Sequence, residues 1–192
     1  MAEGAGDFGL VERVQADAVG VPGQRRFRLR ARTATDYAQL WVEREQTQAL
    51  SLALEQLLAQ IQMQRSEGKV APDPGASLDD FPPTPTIEFT VGRLGIGYDD
   101  DSDLIILQLS NIEQAAEGEE EAEPAPSPLS SQPGVPDVLT IRFNRPQAVA
   151  LKEQCDQTLA AGRPRCPLCG APMGPDGEHF CVRRNGHASG AQ

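Results

Sequence analysis

The chain reads as an α+β protein made of two β-β-β-α units in succession, with a small cysteine-bearing module behind them. Three observations predict this. Period-two alternation precedes each of two amphipathic helical stripes, the two strand–helix stretches partly match one another, and three of the four cysteines lie between residues 166 and 181. The expected division is residues 1–160 for the α+β domain and 161–192 for the module.

Taken in order, a first strand is expected near Leu10 to Ala16. Gln24 to Arg32 then alternates, with Phe27, Leu29 and Ala31 on one face and Arg26, Arg28, Arg30 and Arg32 on the other. A third strand around Leu40-Trp-Val42 runs into a helix whose Leu50, Leu54, Leu57, Leu58 and Ile61 recur at helical spacing. Ser66 to Thr86 is rich in Pro, Gly and Asp and reads as a long connection. Thr86 to Tyr98, Asp99–Asp103 and Leu104 to Leu109 read as strand, turn and strand. Residues 114–137 combine acid, proline and serine without core-forming residues, so a disordered linker is expected there. The last strand, near Leu139 to Phe143, leads into a helix with Asn144 as N-cap and Pro146 in its first turn, where a missing N–H costs nothing. Its stripe is Ala148, Leu151, Cys155 and Leu159. The duplication is read from Leu40–Leu50 against Leu139–Val149, ninety-nine residues apart, with Leu, Val/Ile, Gln, Ala and Leu/Val in step.

The net charge of −11 is concentrated. Ten acids and no Lys or Arg lie between Asp99 and Glu123, so the acidity belongs to one turn and one linker rather than to the folded surfaces. The N-terminus has no basic start followed by an apolar run, and no stretch approaches eighteen consecutive apolar residues. The expectation is a soluble cytoplasmic protein with no membrane partner, in which cysteines are reduced or bind metal.

The ending reads Cys166-Pro-Leu-Cys169-Gly170, then His179-Phe-Cys181 and, six residues on, His187. A Cys-x-x-Cys turn followed by Gly aims two thiolates at one point and suits a structural zinc site. So short a segment has no core of its own, and metal binding can supply its folding energy. The predicted ligands are Cys166, Cys169, Cys181 and one histidine. His179 is favoured because on an extended strand it faces the same way as Cys181, while His187 is the alternative. A redox Cys-x-x-Cys would open a helix, and Pro167, Gly170 and Pro172 argue against one. Four protein ligands leave the metal no open position, so its role is structural. Cys155 falls on the helix stripe and reads as core.

The Phe89-x-Val-Gly-x-Leu-Gly-Ile-Gly-Tyr-Asp99 stretch, the strand–helix from Ile141 to Leu159, and Gly162-Arg-Pro-Arg-Cys-Pro-Leu-Cys169 through Cys181 and Asn185-Gly186 together resemble the bacterial domain-of-unknown-function 3090 family. The end alone resembles a zinc ribbon whose second knuckle lacks a cysteine, Arg184 standing where the pair would close. The family resemblance implies no defined activity. Its members tend to be encoded beside a histidine-phosphatase-like protein and a lipid-kinase-like protein, which implies a partner in a phosphate-handling system.

Other features weigh less. Gly92, Gly95 and Gly97 sit in a strand pattern with no helix after them, which suggests a bulge or close backbone packing rather than a phosphate loop. Asp99–Asp103 lacks the spacing of a calcium loop and reads as a solvated turn. The Arg26, Arg28, Arg30 and Arg32 stripe requires an answer, either internal acids or an anionic or partner surface, to which Arg163, Arg165, Arg183 and Arg184 of the module can add. No catalytic constellation assembles, since both histidines belong to the metal segment. The leading expectation is therefore a zinc-binding adaptor that docks another protein. A binder of nucleic acid or a phosphorylated ligand is second, and a metal-dependent phosphate-processing enzyme using the Asp99–Asp103 turn is third.

Overall fold

The structure, a computed structural model, describes residues 5–21, 24–76, 79–112, 136–161, 166, 168, 169 and 181. It is α+β. Seven strands, β1 (Ala5–Leu10), β2 (Arg13–Val19), β3 (Arg26–Arg32), β4 (Tyr37–Val42), β5 (Ile87–Asp99), β6 (Leu104–Asn111) and β7 (Val138–Phe143), form one sheet, and two long helices, α1 (Arg44–Arg65) and α2 (Arg145–Ala160), pack on it. No helix among the described residues is long and apolar enough to cross a membrane.

The strand order is β1-β7-β6-β5-β4-β3-β2. Pairings are antiparallel except β1 with β7 and β4 with β5. A parallel pair needs a crossover, which α1 supplies between β4 and β5. The expected first strand near Leu10 to Ala16 is in fact two strands on opposite edges of the sheet, with only Val11 and Glu12 between them. The Val11 N–H bonds the Arg142 carbonyl of β7 and the Glu12 N–H bonds the Arg32 carbonyl of β3, each at 2.8 Å. The sheet therefore curls until its two edges meet at this corner, and neither edge is left free there for another chain.

Alternation decides which face is core. Phe27, Leu29 and Ala31 of β3, Ala38, Leu40 and Val42 of β4, Ile105, Leu107 and Leu109 of β6, and Leu139, Ile141 and Phe143 of β7 join Leu50, Leu54, Ala148, Leu151 and Cys155 of the helices in one cluster. Each fully buried Leu or Ile contributes roughly 1.5–3 kcal/mol by leaving water. In β5 the inward set changes phase. Phe89 and Val91 face the core before a register shift at Gly92, and Leu94, Ile96 and Tyr98 pack against it afterwards. The glycine series thus marks a bulge at Gly92. Close packing is not the reason for Gly97, whose absent Cβ would meet nothing within 4 Å, nor for Gly95, whose nearest neighbour would be 4.0 Å away.

Both helices begin alike. The Gln46 side-chain oxygen accepts from the Glu43 N–H at 2.8 Å, and that of Gln147 accepts from the Asn144 N–H at 3.0 Å, with Asn144 accepting in return from the Gln147 N–H. Each glutamine also donates onward from Nε2, Gln46 to the Val91 and Gly92 carbonyls and Gln147 to those of Val11 and Glu12. The ninety-nine-residue match is two positions out of step with these elements, because it does not pair the caps Glu43 and Asn144. Asp137, at the end of the expected linker, is already docked, its carbonyl accepting from the Asn111 N–H at 2.9 Å. The rest of that linker, residues 114–135, lies outside the described residues.

Candidate functional site

Beyond Ala161, the C-cap of α2, the described residues of the module are Cys166, Leu168, Cys169 and Cys181. They bring together the three thiols that the spacing singled out. The sulfurs of Cys166, Cys169 and Cys181 all lie within 4.8 Å of one another, and Cys166 Sγ is 3.8 Å from Cys181 Sγ. That separation is far beyond a disulfide bond of about 2.05 Å. It agrees with the edge of a tetrahedron of thiolates each about 2.3 Å from a central ion, which is about 3.8 Å. Cys166 and Cys181 are each 8% exposed, so the sulfurs face inward toward one another rather than outward as reactive thiols. Three convergent soft donors can hold a metal ion. His179 and His187, the two candidates for a fourth ligand, lie outside the described residues, as do Arg163, Arg165, Arg183 and Arg184.

Cys155 stands apart from this group. It is fully buried on α2, and burial pushes its thiol up to about 12, so it is a neutral thiol at neutral pH.

The arginine stripe on β3 is answered from several directions. Arg26 lies over the Trp41 ring at 3.8 Å. Arg28 donates to Asp17 at 2.6 Å and to Gln39 at 2.8 Å, and the hydrogen bond to Asp17 holds its guanidinium above the ordinary range. Arg30 is 6% exposed and pairs with Asp17 and Asp79, each at 2.7 Å. Arg32 pairs with Asp80 at 2.9 Å and with Glu12 at 3.5 Å. Phe81 completes the arrangement, its ring 5.2 Å from Tyr37 and 4.4 Å from the Arg30 guanidinium. Asp79, Asp80 and Phe81 went unmarked in the sequence. Their signal was two acids and an aromatic inside an otherwise proline-rich connection.

The Asp99–Asp103 turn is not an open cation site. Asp103 takes the left-handed conformation (φ 56°), accepts from the Tyr98 hydroxyl at 2.6 Å and pairs with Arg145 at 3.0 Å, while Asp100 pairs with Arg65 at 3.0 Å. Its acids tie the turn to the C-terminus of α1 and the N-terminus of α2. Two shallow cavities flank the helices. One of about 270 Å³ between α1 and α2 is lined by Leu58, Val70, Lys69, Arg145, Val149 and Lys152, and one of about 380 Å³ beside β2 is lined mainly by polar groups including Gln15, Asp73 and Gln154.

No curated protein and no solved structure matches this chain. A family model described as a protein of unknown function, DUF3090, matches residues 7–181, which takes in the curled sheet, both helices and all three converging cysteines. The chain belongs to the DUF3090 family.

Proposed function

We propose that this chain is a zinc-binding interaction protein in which Cys166, Cys169 and Cys181 hold one zinc ion with a histidine as fourth ligand, His179 in preference to His187. The observation that carries this reading is the convergence of the three sulfurs within 4.8 Å of one another, with Cys166 and Cys181 at tetrahedral-edge spacing. Zinc suits the donor set because it accepts thiolate and imidazole together without redox chemistry. With four protein ligands the ion has no position for water or substrate, so it shapes a docking element instead of catalysing a reaction. The partner is a protein, acting in the phosphate-handling setting that the family's neighbours imply, and the compartment is the cytoplasm.

The α+β domain is the scaffold, and we read it as a duplication. From Arg13 the chain runs through three strands and a helix, then through three strands and a helix again. The paired roles of Gln46 and Gln147 support the reading, as does the placing of β1 beside β7 where β5 stands beside β4. In this view β1 and β2 together correspond to the single bent strand β5.

Nucleic-acid binding through Arg26, Arg28, Arg30 and Arg32 is the second reading, and the internal acids and the Trp41 ring that already engage all four weigh against it. Elemental analysis of the purified full chain tests the first. We expect about one zinc per chain, lost in Cys166→Ser and in Cys169→Ser, and held far more weakly in His179→Ala than in His187→Ala. A metal-free protein, or the opposite order of the histidines, overturns the ligand set.

A further inference from the structure

Asp79, Asp80 and Phe81 of the chain itself lie against the outer face of β3 and the start of β4. Among the described residues, 79–85 make no backbone–backbone hydrogen bond, the next one being from the Thr86 N–H to the Tyr37 carbonyl at 2.7 Å. The cover is held by side chains. Asp79 meets Arg30 at 2.7 Å, Asp80 meets Arg32 through both its carboxylate and its carbonyl at 2.9 Å, and Phe81 rests against Tyr37 and Arg30. The two sides of these contacts are unequal. The Arg30 side chain is 7% exposed, whereas those of Asp79 and Asp80 are 77% and 62% exposed. Ion pairs to acids so open to water contribute little to stability, while the guanidinium beneath is costly to bury. The buried Nε atoms of Arg30 and Arg32 also have no hydrogen-bond partner among the described residues, so the covering acids leave donors unused.

We propose that this face is a docking site for an extended segment of a partner protein carrying two adjacent acids followed by an aromatic residue, and that Asp79-Asp80-Phe81 occupies it in cis. Arg30 and Arg32 are the anchors for the carboxylates, and Tyr37 is the floor for the ring. Asp17 and Gln15 hold Arg30 from its other side, at 2.7 Å and 3.0 Å, so its position does not depend on the cover. Arg28 stays with Asp17 and Gln39 and sets the edge of the site. The chain's own segment then competes with the partner's. None of this depends on the metal module.

The test uses the full chain with Asp79→Ser, Asp80→Ser and Phe81→Ser combined, and as probe a fluorescein-labelled peptide of this chain's residues 77–86, followed by anisotropy. A tethered copy has an effective concentration on the order of 1 mM, so for a peptide Kd near ~0.1 mM the wild type binds about tenfold more weakly than the uncovered variant. We expect that difference, its loss when Arg30→Gln is added, and a similar loss when both acids of the peptide are changed to Asn. A folded variant that binds the peptide no better than wild type overturns the proposal, as does preferential binding of a single-stranded RNA probe. If the triple variant does not fold, Phe81→Ala is measured instead, and the absence of any gain over wild type is equally decisive.

Discussion

Replacing Gln147 with methionine removes a side chain that joins three parts of the fold at once. Gln147 is 5% exposed, caps α2 through the Asn144 N–H, and donates to the Val11 and Glu12 carbonyls at 3.2 Å and 3.0 Å where the two edges of the sheet meet. Methionine keeps the length and loses all three hydrogen bonds. At about 1 kcal/mol net for each bond, and more for a carbonyl left buried without a partner, the loss is about 3–5 kcal/mol. The apolar replacement recovers about 1 kcal/mol, leaving about 2–4 kcal/mol. For a chain of this size that is a fall in Tm of roughly 6–12 °C. Gln46→Met removes the corresponding bonds to the Glu43 N–H and the Val91 and Gly92 carbonyls, but from a half-buried position where water can replace them. It should cost only about 1 kcal/mol. Urea unfolding of the two variants beside wild type reads both values. A Gln147 variant within about 1 kcal/mol of wild type, or one more stable than the Gln46 variant, refutes the idea that this side chain locks the corner of the sheet.

Two further outcomes follow from ionisation and burial. For Asp103 burial opposes the charge, but the Tyr98 hydroxyl, the Arg145 guanidinium and the nearby Arg65 together hold its carboxyl below the usual 3.8, and Asp156 is likewise lowered by Lys152 and Ser51 against burial. Their contribution is present above pH 3.8 and is lost as pH falls through the depressed native values, because the unfolded chain then binds more protons. Stability should therefore decline below pH 3.8, and Asp103→Asn, which tolerates the same left-handed backbone, should flatten that decline in urea titrations across pH 2–5. Thiol titration should separate the four cysteines. The native protein should react slowly at all of them, a chelator should release three, and Cys155 should react only after unfolding, so rapid labelling of Cys155 in the native state contradicts its place in the core.

Local chemistry made much of this fold legible. The Arg and apolar alternation of β3 appears in the structure as its two faces, Asn144 with Pro146 starts α2, and Asp99–Asp103 turns between β5 and β6. What escaped was non-local. Nothing near Val11 and Glu12 announces that β1 and β2 lie on opposite edges, since that depends on β7 and β3, whose own positions follow from the curl of the whole sheet. The first helix start was hidden because Glu43 is not a usual N-cap type, although Gln46 and Gln147, each three residues past a cap, carried a capping signal. The convergence of three cysteines was easier, because Cys-x-x-Cys spacing is a local constraint. The acids answering the arginines were harder, since Asp79 is 49 residues from Arg30 and no periodicity connects them.

In the proposed reading the three converging cysteines hold zinc in a closed coordination sphere. X-ray absorption at the zinc edge of the purified full chain tests it most directly. The predicted result is a first shell of three sulfurs at about 2.3 Å and one nitrogen at about 2.0–2.1 Å, with no open position filled by water. A shell dominated by oxygen, or a protein that purifies folded and active in partner binding with no zinc to measure, would contradict it.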